Sequence, residues 1–143
     1  MTTKEEARPL RVLQLTDPHL MARADGDLLG VRTRESLQAV IAEVLKVHGQ
    51  PDLILATGDL AQDGSVEAYR EFGESLKVFS CPSVWIAGNH DHADNLLTVA
   101  GEYDASDRQV ILGGWQFVML DSSVPGKVFG ALSDSEQEFL TEA

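Results

Sequence analysis

Basic residues are scarce in this chain: 11 lysines and arginines face 23 aspartates and glutamates across 143 residues, a formal net charge of −12. A protein that tracks a nucleic-acid backbone needs a stripe of cations against the phosphates, so no nucleic-acid partner is expected. An anionic small molecule stays open as a substrate, because bound metal ions reverse the local field. Cysteine is nearly absent. The single Cys81 rules out an intramolecular disulfide and fits a reducing compartment. Its place between Ser80 and Pro82 reads as a small, inert core position. No apolar run is long enough to cross a bilayer and no charged-then-apolar leader opens the chain, so a soluble, cytoplasmic protein with no membrane partner is expected. No Gly-rich loop follows a strand-like run, which argues against P-loop and dinucleotide-binding folds. Internal repeats, low-complexity tracts and linkers are missing too. Histidine is limited to His19, His48, His90 and His92, with none beyond.

What is present is ordinary in bulk, with 43% hydrophobic and 24% charged residues, enough for one domain with a sizeable core. Residues 1–9 read as a loose polar arm. Three runs read as strands, near residues 10–16, 52–57 and 83–87. Helical spacing of Leu37, Val40, Ile41, Val44 and Leu45 predicts a helix over 34–48, stopped by Gly49 and Pro51. Ala68, Tyr69, Phe72, Leu76 and Phe79 form a core-facing stripe over 65–79, with Ser65 as its cap. Strand, helix, strand, helix, strand at these lengths is a parallel βαβαβ unit, so the fold class is α/β. Residues 21–30, with Asp25-Gly26-Asp27, read as a surface loop. A short helical stretch near Leu96–Ala100 follows, and then a hairpin about Gly113-Gly114. Ser133-Asp134-Ser135-Glu136 is a capping box that starts a last helix, and the pattern looks cut inside that helix.

All three strand-like runs end in polar clusters. Asp17-Pro18-His19 closes the first, Gly58-Asp59 the second and Gly88-Asn89-His90-Asp91 the third. Parallel strands bring their carboxyl ends to one sheet edge, where open α/β sheets collect ligands. Asp17 and His19 make a carboxylate–imidazole pair suited to a borderline divalent cation. Asp59 has two oxygens and can serve two ions at once. Asn89 offers a neutral carbonyl oxygen, and His90 is free to meet a substrate. Two ions about 3.5–4 Å apart can clamp a phosphate ester and activate a water. With oxygen and nitrogen donors and no thiolate, Fe, Mn or Zn fit, and Mg is admissible. His48 reads as a surface residue in a last helical turn, His92 and Asp94 as helix-start residues, and Asp121 as a turn residue.

The three clusters resemble the first three motifs of the calcineurin-like metallophosphoesterases. Leu13–Leu20, Leu29-Gly30-Val31, Ala56–Asp63 and Leu120-Asp121-Ser122 resemble the bacterial 3′,5′-cyclic AMP phosphodiesterases of that superfamily. The resemblance implies the N-terminal half of a four-layer αββα sandwich and a dinuclear site that hydrolyses cyclic AMP to AMP. By the same resemblance Asp17 and His19 hold the first metal, Asp59 bridges, Asn89 holds the second, and His90 contacts the phosphate as a catalytic group beside Asn89. Asp91 would orient its neighbours. A purple acid phosphatase is disfavoured, because its tyrosine ligand falls at Gln62.

The family's remaining ligands are later histidines, one on a strand and a pair in a Gly-His-x-His motif, and nothing past His92 matches them. Residues 1–143 are therefore expected to form an incomplete phosphoesterase domain, lacking much of the second sheet. At most one metal ion and little activity are expected of this stretch alone, with self-association through the exposed half-sandwich possible. The alternatives are a non-catalytic remnant that binds one metal or a partner, and a phosphoesterase with another substrate.

Overall fold

A computed structural model describes residues 8–143, so most of the expected N-terminal arm lies outside the described residues. Three short parallel strands, β1 (Val12–Leu15), β4 (Leu53–Thr57) and β5 (Ser83–Ile86), form one sheet in the order β1-β4-β5. Between β1 and β4 lie a small antiparallel hairpin, β2 (Asp27–Leu28) and β3 (Val31–Arg32), and helix α1 (Thr33–His48). Helix α2 (Val66–Leu76) joins β4 to β5, and α3 (Ala93–Glu102) follows β5. A second antiparallel hairpin, β6 (Gln109–Leu112) and β7 (Trp115–Val118), precedes the last helix, α4 (Asp134–Glu142).

Side chains alternate across a strand, so the register sorts the sheet into two faces. Leu15, Ala56 and Trp85 lie side by side, as do Leu13 and Ile54 one pleat away. This face joins one buried cluster with Leu37 and Ile41 of α1, Tyr69 and Phe72 of α2, and Leu96 and Val99 of α3. The three helices therefore cover the same face. Trp85 is held edge-on to Phe72 and stacked on Tyr103, at 5.1 and 5.7 Å between ring centroids. Burying each such side chain contributes roughly 1.5–3 kcal/mol. The opposite face carries Val12, Gln14, Leu53, Leu55, Thr57, Val84 and Ile86. Leu53 and Val84 are buried there, while Val12 and Gln14 are exposed.

Four expectations need correction. The stretch read as a loop over 21–30 contains β2, because Leu28 and Val31 pair across a two-residue turn. Helix α2 stops at Leu76, three residues early: a tight turn, in which the Phe79 amide donates to the Leu76 carbonyl at 3.0 Å, folds Phe79 back into the core. Helix α3 runs longer than expected at both ends, capped by His92, whose ring accepts the Asn95 amide. Only half of the capping box forms at α4. Ser133 accepts the Glu136 amide, but the Glu136 carboxylate takes Arg108 and the Asp121 amide instead of turning back to Ser133. Cys81 is half-buried at the edge of the core, and burial raises its thiol pKa.

Candidate metal centre

The loops that follow β1, β4 and β5 meet at the carboxyl edge of the sheet, and their meeting is built into the backbone. The β1–β4 ladder continues beyond both strands: the Asp17, His19 and Leu20 amides donate to the Gly58, Asp59 and Leu60 carbonyls, each at 3.0 Å. The Gln62 amide then donates back to the Leu20 carbonyl at 2.7 Å. These loops are thus zipped together like strands. Within the zip Asp17, His19 and Asp59 all take positive φ, at 56°, 46° and 48°. Left-handed conformations cost non-glycine residues about 1–3 kcal/mol each and persist only where the surroundings over-determine them. Three such residues in one polar cluster, held by continuous ladder bonds, mark a strained site.

The β5 loop approaches through two glycines. A Cβ on Gly58 would lie 2.9 Å from the Gly88 backbone, and a Cβ on Gly88 would overlap the Asp59 carboxylate. Neither position tolerates a side chain without moving the loops apart. Asp91 locks the approach. Its carboxylate accepts the Leu60 and Ala61 amides at 3.2 and 2.9 Å, the Gly88 amide at 2.8 Å and the Tyr69 hydroxyl at 2.9 Å. One side chain therefore ties the β4 loop, the β5 loop and α2 into a single body. Burial and the adjoining Asp91 carboxylate push the Tyr69 phenol well above its ordinary pKa.

Within this frame the side chains converge. His19 Nε2 lies 3.5 Å from Asp17 Oδ1 and 3.9 Å from Asp59 Oδ2. The Asp59 side chain is 13% exposed and that of Asp17 57%, so Asp59 sits at the floor and Asp17 at the open rim. Asp59 Oδ1 accepts the His90 amide at 3.0 Å, which leaves Oδ2 facing the cluster. The His90 ring meets the His19 ring edge-on at 5.2 Å. His19, Asp59 and His90 offer donor atoms all within 4.8 Å of one another. On the other side of the His19 ring, Nδ1 lies 2.8 Å from Gln62 Oε1. With Nδ1–H donating to that oxygen, the Nε2 lone pair points into the cluster.

Every sequence-predicted site residue lies at this edge. His19, Asp59 and His90 are brought into one donor group, with His90 among the donors instead of standing apart, while Asp17 stays at the rim, 3.5 Å from His19 Nε2 and outside that group. Asn89 lies on the same loop between Gly88 and His90, with its side chain exposed. His48 is remote: its carbonyl meets Arg11 at the start of β1. Asp121 is a turn residue whose carboxylate accepts the Ser123 amide at 2.8 Å. Sequence reasoning assigned no role at the site to Gln62 or Asp63 and read Tyr69 as core alone. Asp63 accepts the Ala22 amide and the Ser65 amide and hydroxyl, which pins the β1 loop to the start of α2. The signals for Gln62 and Asp63 were their place soon after Gly58-Asp59 and, for Gln62, its coincidence with the tyrosine ligand position of the purple acid phosphatases; Tyr69 had none.

The donor set suits a divalent ion. It combines imidazole nitrogens with carboxylate oxygens, contains no thiolate, and has one imidazole preset by a hydrogen bond on its far nitrogen.

Residues 10–136 match the calcineurin-like phosphoesterase family, and the chain belongs to that family. It is similar to the 3′,5′-cyclic adenosine monophosphate phosphodiesterase CpdA of Escherichia coli, at 44% identity over 137 residues, covering 94% of this chain and 50% of that protein. The CpdA phosphodiesterase of Pseudomonas aeruginosa is 39% identical over 132 residues, covering 92% and 48%. A 3′,5′-cyclic-nucleotide phosphodiesterase of a Nostoc species is 35% identical over 136 residues, covering 94% and 51%. The chain spans about half the length of these curated relatives. No helix among the described residues is long and apolar enough to cross a membrane.

Proposed function

We propose that this chain carries the first-half ligands of a metal-dependent phosphodiesterase that hydrolyses 3′,5′-cyclic AMP to AMP, in a cytoplasmic setting. The observation that supports this best is the convergence of His19, Asp59 and His90 at one sheet edge, with Asp17 beside His19 and positive φ at Asp17, His19 and Asp59. The names of the relatives supply the substrate class. Asp17, His19 and Asp59 would hold one ion, and Asp59 and Asn89 part of a second; Fe, Mn or Zn suit these donors, with Mg admissible. When bound, such ions supply Lewis-acid charge to the phosphate and lower the pKa of an attacking water.

The chain's own residues have separable tasks. Gln62 holds the His19 tautomer, and Asp59 holds the His90 backbone while its second oxygen faces inward. In the reaction, water adds to phosphorus and the ester bond to the 3′ oxygen breaks. The leaving oxygen then takes a proton. His90, exposed beside the cluster, can contact the phosphate and serve as the donor of that proton. Asn89 adds a neutral oxygen without adding charge.

For residues 1–143 alone the second position has two donors, one shared and one neutral. At most one weakly held ion is expected, and losing the other costs about three or more powers of ten in rate. The three-donor group of His19, Asp59 and His90 fits a single ion, and this favours a non-catalytic, one-metal role as the second reading. Cyclic AMP hydrolysis with Mn²⁺ or Fe²⁺, measured on these residues alone and on any longer polypeptide that carries them, tests the proposal. Turnover by the longer form that Asp59→Ala abolishes supports it. Metal binding without turnover in both forms favours the one-metal role.

A further inference from the structure

A cavity of about 360 Å³ opens directly beside the metal centre, between the β2–β3 hairpin and α1. Asp17 and His19 form one wall, and Leu28, Leu29, Val31 and Val40 supply much of the rest. We propose that this cavity takes the purine base of the cyclic nucleotide. The inference rests on the function proposed above and extends it to a part of the substrate that the metal cluster does not touch.

Three observations lead there. The first is continuity. In a 3′,5′-cyclic nucleotide the phosphate is fused to the ribose, so the base has little freedom relative to the phosphorus and must lie against a wall of the same cleft. The grooves between α1 and α2 and beneath α3 share no residue with the His19–Asp59–His90 group, whereas this cavity shares His19. The second is chemistry: aliphatic side chains dominate the lining, the Thr33 and Ser36 hydroxyls add polar groups, and the size falls within the roughly 300–1,000 Å³ of small-molecule sites. A flat, apolar heteroaromatic ring with polar edges matches such a lining.

The third is a conflict between residue and backbone. Leu29 and Gly30 form the two-residue turn of the hairpin with φ of +51° and +86°, a turn in which asparagine followed by glycine is the favoured pair. A leucine stands in the left-handed position and is 97% exposed. It gains nothing in the folded chain from being there. With Val31 and Val40, 52% and 47% exposed, it makes an apolar rim over the cavity. A bound base would cover that rim.

The hairpin tip also supplies a variant that the fold accommodates. Leu29→Asn suits the turn conformation and removes no buried contact. The test is NMR of the Leu and Val methyls and the histidine rings of the chain with Zn²⁺ present, titrated with cyclic AMP or with inorganic phosphate to millimolar concentration. Cyclic AMP should shift the Leu28, Leu29, Val31 and Val40 methyls together with the His19 and His90 rings, whereas phosphate should shift the rings alone. Leu29→Asn should weaken cyclic AMP binding by about three- to tenfold and leave phosphate binding unchanged. Rings that respond to cyclic AMP while the methyls stay still, or undiminished binding by Leu29→Asn, would overturn the base pocket and leave the metal centre standing. If phosphate shifts the rings with Zn²⁺ bound while cyclic AMP shifts neither set, the cyclic-nucleotide reading itself fails and the base pocket with it.

Discussion

The Nδ1 atom of His19 lies 2.8 Å from Oε1 of Gln62, and this contact turns the other ring nitrogen toward the Asp17 and Asp59 carboxylates. The donor geometry of the centre therefore depends on a side chain outside the His19–Asp59–His90 group. Gln62→Leu is expected to lower affinity for Mn²⁺ by about 10–100-fold, while Gln62→Glu, which keeps an acceptor oxygen, retains it. Calorimetric titration reads the affinity, and the ¹⁵N shifts of the His19 ring read the tautomer. Equal affinity in all three proteins would remove Gln62 from the account.

Asp59 is the residue whose two oxygens do different things. One accepts the His90 amide and the other faces His19. In a longer polypeptide with both metal positions, Asp59→Ala should lower occupancy of both ions together and abolish turnover, whereas Asn89→Ala should chiefly empty one. Metal content by elemental analysis, with activity followed in parallel, separates these outcomes. Retention of both ions by Asp59→Ala would contradict its bridging role.

Asp91 acts on stability before it acts on chemistry. Its carboxylate has four donors from three segments, and Asp91→Ala leaves them without an internal partner. The expected loss is about 3 kcal/mol in denaturant unfolding, with Asp91→Asn losing less because one oxygen remains. A loss below 0.5 kcal/mol, on the order expected of an unremarkable surface substitution, would mean that the loops hold together without it.

The two tyrosines predict an alkaline transition. Burial, then the Asp91 carboxylate, raises Tyr69; burial, then the hydrogen bond to Glu74, pushes Tyr103 up to about 12. A raised folded-state pKa means that the native state holds its proton more tightly than the unfolded chain. Stability is thus fully present below the ordinary tyrosine value near 10 and falls as pH rises from there toward the folded values. Tyrosinate absorbance should therefore rise late and together with unfolding. Titration of both phenols near pH 10 in the folded protein would show that neither is sheltered.

The outline of the fold was legible in residue pattern because its three strands are apolar runs ending in polar clusters, and each cluster stands where the parallel register brings it. Asp17, His19, Asp59 and His90 followed from that placement alone. The β2–β3 pairing was hidden because Leu29 occupies a turn position that pattern assigns to asparagine or glycine. The early stop of α2 was hidden because Phe79 continues the apolar stripe after the helix has ended. Gln62 was illegible for a different reason: its value lies in a hydrogen bond across two loops, and no spacing along the chain encodes it. The Glu136 carboxylate left its local capping partner for Arg108, a competition between local and long-range contacts that only the folded chain decides.

The most direct measurement is a Mn²⁺ titration of residues 1–143 with the histidine ring signals and cyclic AMP turnover followed together. One weakly held ion, paramagnetic broadening of His19 and His90 with His48 untouched, and negligible turnover are expected. Broadening that spares His19 and His90, or two firmly bound ions with full hydrolysis, would contradict this.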